Sequence, residues 1–206
     1  MSLLSRLRAA FWRCAACDVA ASAVFCATCA LSLKTASAPL QQAPDWSAYA
    51  YGGAMGQAIC RAKYAGRSEL WAPLSLSFAA LEPELRRWQP ASLVPVPSHW
   101  TRLAARGHNP AALLAAPLGI RLGVPIDHGA MQRILRSAPQ AALPRTQRVQ
   151  IDRRTFRASP KRLEGQRILL LDDVRTTGAT LAAAKAALLL AGASEVATLT
   201  LAVSET

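Results

Sequence analysis

The chain has 206 residues, 52% of them apolar, which is enough for one substantial domain and a small appendage. Its 24 basic residues outweigh 12 acidic ones, for a net charge of +12. Such a surface favours polyanionic partners or substrates and excludes none of the common fold classes, because net charge does not choose a fold. No apolar run is long enough to span a membrane: the C-terminal one is broken by Lys185, Gly192 and Glu195.

The N-terminus carries Arg6 and Arg8 ahead of several alanines, a faint likeness to a secretory signal. Arg13 and Asp18 interrupt it, and the cysteines would be wasted in a discarded peptide, so a cytoplasmic location is expected. Cys14, Cys17, Cys26 and Cys29 follow as two CxxC turns. Each turn offers two thiolates, and the span between them can fold back to complete a tetrahedron. Zinc is the natural occupant, in a structural role because four protein ligands leave no open position. In so short a segment the metal would supply most of the folding energy. An iron–sulfur cluster is the main alternative, ahead of a redox CxxC or a disulfide pair, which the cytosol disfavours.

Residues 34–45, small, polar and proline-containing, read as a linker. This divides the chain into a zinc module (1–33), the linker and a main domain (46–206). Trp46–Tyr51 is a candidate strand, and Gly52 and Gly53 open a helix toward Tyr64, with Cys60 as a small buried apolar residue on it. Residues 68–88 are helical in pattern, interrupted by Pro73 and Pro83. Residues 91–98 read as a second buried strand ending in the proline turn Pro95, Val96, Pro97, Ser98. Two prolines fix the backbone there, either as a plain rigid loop or as a place where an anion meets N–H groups. Arg102, Arg106, Gly107, His108 and Asn109 come next, and a helix runs from Pro110 toward Leu122 with Asn109 as N-cap.

Between residues 133 and 162 lie Arg133, Arg136, Arg145, Arg148, Arg153, Arg154, Arg157, Lys161 and Arg162, against Asp152 alone. This density is either a solvated face or an anion contact, to pyrophosphate or to nucleic-acid phosphates. Phe156 is its one aromatic residue, which favours backbone contact over sequence reading. His99, His108 and His128 are isolated, and the five tryptophans are scattered. Packing is the expected role of the latter, with Trp12 and Trp100 able to stack on bases if exposed.

The most informative stretch is ILLLDDVRTTGAT, residues 168–180. Ile168 to Leu171 form a short continuous apolar run, as in a parallel strand covered on both faces. Such strands deliver ligand residues at their carboxyl ends. Asp172 and Asp173 stand there as paired hydroxyl acceptors. Thr176, Thr177 and Thr180 offer hydroxyls, Gly178 permits a turn, and an Ala/Leu-rich helix ending near Gly192 presents its N-terminus to an anion. A sugar with a terminal phosphate fits both halves. A magnesium ATPase would need a GxxxxGK[ST] loop upstream, which is absent.

At these residues the chain resembles the phosphoribosyltransferase superfamily. The order of a four-cysteine module, the VPVP turn, the Arg106-Gly107-His108-Asn109 segment and the DDVRTTGAT loop resembles the competence protein F family (ComF, with its GntX relatives) from about Cys14 to Leu201. The family's RGFNQA reads RGHNPA here, and its threonine–glutamine pair is represented by Gln140 after Ser137-Ala138-Pro139. Thr176 stands where purine-salvage enzymes often carry an acidic base.

The resemblance implies an α/β fold of type I phosphoribosyltransferase kind, a mostly parallel sheet flanked by helices. It implies phosphoribosyl pyrophosphate as ligand, accompanied by magnesium. Asp172 and Asp173 would bind the ribose, and Arg175, Thr176, Thr177, Gly178, Ala179 and Thr180 the 5′-phosphate. Pro95, Val96, Pro97 and Ser98, with Arg102 and Arg106, would hold the pyrophosphate. Arg133, Arg136, Gln140 and Arg148 would form a hood. Arg153, Arg154, Arg157, Lys161 and Arg162 would meet nucleic acid. The implied role is DNA uptake in natural transformation through single-stranded DNA handling, alongside other DNA-uptake proteins. The alternative is an active phosphoribosyltransferase of nucleotide or cofactor salvage with an unknown acceptor. A transcriptional regulator would want a helix-turn-helix segment, and none is visible.

Overall fold

The computed structural model describes residues 13–36, 41–42, 44–134 and 155–204. The cysteine-rich segment holds one short helix, α1 (Ala27–Ala30), capped by Cys26. It docks on the main domain through a charged contact. Asp18 pairs with Arg61 at 2.9 Å and Arg67 at 3.0 Å, and Arg61 also donates to the Ala16 carbonyl. Ala15 is part of the main core. A second approach needs Gly53, because its φ is +48° and a Cβ there would lie 2.7 Å from the Ser32 carbonyl oxygen.

After β1 (Gln41–Gln42) and β2 (Asp45–Ala50) comes α2 (Gly53–Tyr64). Segment 34–36 lies along β2, with an antiparallel bridge from Thr35 to Tyr49. Two short helices follow, α3 (Trp71–Leu74) and α4 (Glu82–Trp88), joined by 3₁₀ turns. Then come β3 (Ser92–Pro95), α5 (Trp100–Arg106) and α6 (Pro110–Leu122). Asn109 caps α6 by accepting from the Ala111 N–H. A ribbon of β4 (Met131–Arg133) and β5 (Phe156–Ala158) leads to β6 (Arg167–Arg175), α7 (Ala179–Leu190) and β7 (Glu195–Val203).

The main sheet has the order β1-β2-β7-β6-β3, and every pairing except β1 with β2 is parallel. Its strands are apolar on both sides because both faces are covered. Leu169 and Leu171 of β6 face a core built from α2, α3, α4 and α6, with Met55, Ile59, Trp71, Phe78, Leu114 and Leu118 fully buried. Ile168 and Leu170 face the opposite layer, made by Leu181, Ala184 and Leu188 of α7 with Met131, Phe156 and Leu163. The expected α/β architecture, a mostly parallel sheet flanked by helices with a four-cysteine cluster at its start, is the one observed.

Three differences have physical causes. Strand β6 continues through both aspartates to Arg175, since β7 pairs with it as far as Val203. Helix α5 buries none of its residues, so it carries no apolar periodicity to be read. Strand β7 is buried along nearly its whole length, and a run covered on both sides shows no alternation.

Candidate functional site

All four parallel strands end on one edge of the sheet, where α/β proteins bind ligands. Pairing between β3 and β6 stops at Pro95 and Leu171. One bond continues beyond it, from the Val96 N–H to the Leu171 carbonyl at 2.8 Å. That bond sets the proline turn beside the acidic end of β6. Asn109 braces the turn: its Nδ2 donates to the Val96 carbonyl, and its Oδ1 accepts from Ser98 Oγ, both at 3.0 Å. The VPVPS turn and the segment before α6 are therefore one unit.

Alternation along β6 sends the two aspartates to opposite faces. Asp173 follows Leu169 and Leu171 toward α2, where its Oδ2 meets Lys63 Nζ at 2.7 Å. Asp173 is 8% exposed. Asp172 follows Ile168 and Leu170 toward the ribbon. Burial, ahead of the charge on Asp173, raises the Asp172 carboxyl to about 7. The Asp173 N–H, Lys63 and Arg133 act in the other direction. Arg133, at the end of β4, has its guanidinium 5.4 Å from the Phe156 ring centre. Burial lowers its pKa, the charge of Arg102 adds to this, and Asp172 opposes both. Asp172, Arg102 and Arg133 thus share one electrostatic neighbourhood.

Past β6 the chain turns at Gly178, whose φ of +76° suits glycine, and enters α7, where Thr177 Oγ1 accepts from the Ala179 N–H at 3.4 Å. Thr176 and Thr177 are exposed, while Gly178, Ala179 and Thr180 are half-buried. Such a helix start favours negative charge.

Lys63 is a site residue that sequence reasoning missed. The available signal was its place in the last turn of a helix opened by Gly52 and Gly53, but nothing in the sequence pairs it with Asp173. On the same helix Cys60 is exposed, contrary to its expected burial. Its Sγ lies 3.5 Å from the Tyr51 hydroxyl, and this contact, followed by burial, pushes the Tyr51 phenol up to about 12.

The four N-terminal cysteines converge, with all their sulfurs within 4.8 Å of one another. Cys17 and Cys26 are 3.7 Å apart, close to the edge of about 3.8 Å expected for a tetrahedron of thiolates about 2.3 Å from a metal. A disulfide would bring two sulfurs to about 2.05 Å, and all four cysteines are free. Burial raises the Cys14 pKa, but N–H groups of Cys17, Cys26 and Ala16 outweigh it and bring the thiol down to about 6. Burial and the neighbouring thiols push Cys29 up to about 12. Four crowded sulfurs cannot all ionise without a cation among them, so the donor set fits a soft, four-coordinate metal ion.

No family model matches the chain. It is 30% identical over 197 residues to the DNA utilization protein YhgH of Salmonella typhimurium, covering 87% of this chain and 86% of that protein. It is 30% identical over 135 residues to the competence protein ComFC of Bacillus subtilis, covering 66% of this chain and about half (53%) of ComFC. The chain belongs to the ComF/GntX family. Among solved structures, the fold is similar to an allosteric regulatory enzyme of purine biosynthesis, at 18% identity and TM-score 0.43 over 64% of this chain and 26% of that one. A purine phosphoribosyltransferase from Pyrococcus horikoshii aligns at 19% identity and TM-score 0.37, over 63% and 72% of the two chains.

In this ComF/GntX chain the described part of the expected hood is Arg133; Arg136, Gln140 and Arg148 lie outside the described residues. So do Arg153 and Arg154 of the expected nucleic-acid contact, and Trp12. Arg157 and Lys161 are exposed, and Arg162 pairs with Asp127 at 3.0 Å. His108 serves packing: its Nε2 accepts from buried Trp71, and its Nδ1–H donates to the Arg106 carbonyl. His99 is the N-cap of α5. No helix among the described residues is long and apolar enough to cross a membrane.

Proposed function

We propose that this ComF/GntX protein binds phosphoribosyl pyrophosphate at the carboxyl edge of its sheet and handles single-stranded DNA during DNA uptake, in the cytoplasm. The observation that carries the reading is the Val96-to-Leu171 bond, which brings a proline turn, two carboxylates and a hydroxyl-rich loop to one edge. Asp172 and Asp173 accept from the ribose hydroxyls, with Lys63 the competitor for Asp173. The 5′-phosphate sits on Arg175, Thr176, Thr177, Gly178, Ala179 and Thr180. The pyrophosphate meets Pro95, Val96, Pro97 and Ser98, with Arg102, the arginine that shares the neighbourhood of Arg133 and Asp172, neutralising it. The diphosphate oxygens and the Asp172 and Asp173 carboxylates are hard ligands, so magnesium would arrive with the diphosphate. Zinc occupies the cysteine cluster and holds the N-terminal module in shape.

The names of the relatives, a competence protein and a DNA utilization protein, support the DNA-uptake part of this reading. Calorimetry with phosphoribosyl pyrophosphate and magnesium tests the pocket. Asp172→Asn with Asp173→Asn should abolish binding in a folded protein, and unchanged affinity removes the ribose assignment. A second reading is an active phosphoribosyltransferase of nucleotide or cofactor salvage with an unknown acceptor, using the same pocket. A screen of bases for pyrophosphate release tests it.

A further inference from the structure

The surface of α5 combines aromatic exposure with uncompensated positive charge. Trp100 is 70% exposed and Leu103 44% exposed. Trp100, Leu103 and Arg106 are spaced three apart, so they follow one side of the helix. The stripe continues onto α2, where the Arg106 guanidinium lies 4.9 Å from the ring centre of Tyr64, itself 72% exposed. Tyr64 ends α2 one residue after Lys63, so the stripe ends on the helix turn that also supplies the partner of Asp173. The Arg106 end is held firmly: Gly107 closes the helix at φ +75°, and His108 ties the Arg106 carbonyl to buried Trp71.

Charge points to the occupant. Helix α5 carries Arg102 and Arg106 and no acidic residue. Neither arginine has an acidic partner within ion-pair distance among the described residues, a state they share with exposed Arg157 and Lys161. Exposed Trp, Tyr and Arg also mark protein interfaces. Two unpaired cations beside two exposed rings, on a chain of net charge +12, favour a polyanion that carries planar groups.

We infer that Trp100, Arg106 and Tyr64 form a stacking platform for the bases of a single-stranded nucleic acid. The inference rests on the strand-handling part of the proposed function and gives it a base-contacting surface, distinct from the arginine-rich segment of residues 133–162. Trp100 and Tyr64 present ring faces that accept any base, and the Arg106 guanidinium, 4.9 Å from the Tyr64 ring centre, adds a cation–π contact. From Trp100 to Arg106 the helix rises about 9 Å, room for two splayed bases.

The test is fluorescence anisotropy on the full chain at fixed salt, with a labelled deoxythymidine strand of about 20 nucleotides and an abasic strand of equal length and charge. Trp100→Ala and Tyr64→Ala should each weaken the thymidine strand by about 5- to 100-fold and leave the abasic strand unchanged. Trp100→Phe and Tyr64→Phe should retain most of the affinity. Unchanged affinity of both alanine variants for the thymidine strand overturns the platform and assigns the stripe to another partner. Equal losses on both strands overturn it as well, because the contact is then to phosphate. A wild-type protein that binds neither strand removes the strand-handling reading along with the platform. Calorimetry with phosphoribosyl pyrophosphate on the same proteins reports separately on the pocket.

Discussion

Lys63 Nζ lies 2.7 Å from Asp173 Oδ2, joining the last turn of α2 to the acidic end of β6. Both side chains are largely buried, at 15% and 12% exposure. A pair so placed is costly to break on one side, because the remaining charge is left without its partner. On the proposed function, a ribose hydroxyl reaching Asp173 would have to compete with this ammonium group.

Lys63→Met should therefore destabilise the fold by about 2–4 kcal/mol, measured by urea denaturation. Asp173→Asn in the Lys63→Met background should recover part of that loss, since the orphan charge is gone. A double variant no more stable than Lys63→Met removes the buried pair from the account.

If the proposed pocket holds, Asp172 should make its ligand affinity depend on pH. Its carboxyl is raised to about 7 by burial and then by Asp173, while Lys63 and Arg133 partly oppose the shift. An ionised carboxylate accepts hydroxyls best, so affinity for phosphoribosyl pyrophosphate should rise about tenfold between pH 6 and pH 8. Because the folded-state pKa lies above the unfolded one, the folded protein holds the extra proton. Stability from this group is therefore full below about pH 4 and declines as pH rises toward about 7. Asp172→Asn should flatten both profiles, and a calorimetric pH series with an unchanged slope in that variant assigns the dependence elsewhere.

Asn109 performs two tasks with one side chain, capping α6 and bracing the proline turn. Asn109→Ala should cost about 1–2 kcal/mol in stability and weaken ligand binding through the turn. Asn109→Ser keeps a cap but loses the amide donor to Val96. It should restore most of the stability and little of the binding, and recovery of both together argues against the brace.

Metal analysis of the purified protein should give about one zinc per chain. Because Asp18 joins Arg61 and Arg67 and Ala15 enters the main core, chelation should lower the melting temperature of the whole chain. Cys17→Ser should do the same. Metal-free protein with an unaltered melting temperature contradicts the structural role.

The sequence alone determined the local features. The CxxC pairs, the helix from Pro110 to Leu122 with its Asn109 cap, and the apolar run before Asp172 are legible because each depends on neighbours within a few residues. Tertiary structure decided what depends on partners far along the chain. Pairing with β7 carried β6 through both aspartates, and the alternation of side chains along that strand then parted them. Lys63 reached Asp173 across 110 positions of sequence, a separation that no local pattern records. Helix α5 stayed hidden for the opposite reason: it packs nothing into the core, so its sequence carries no periodic trace of burial.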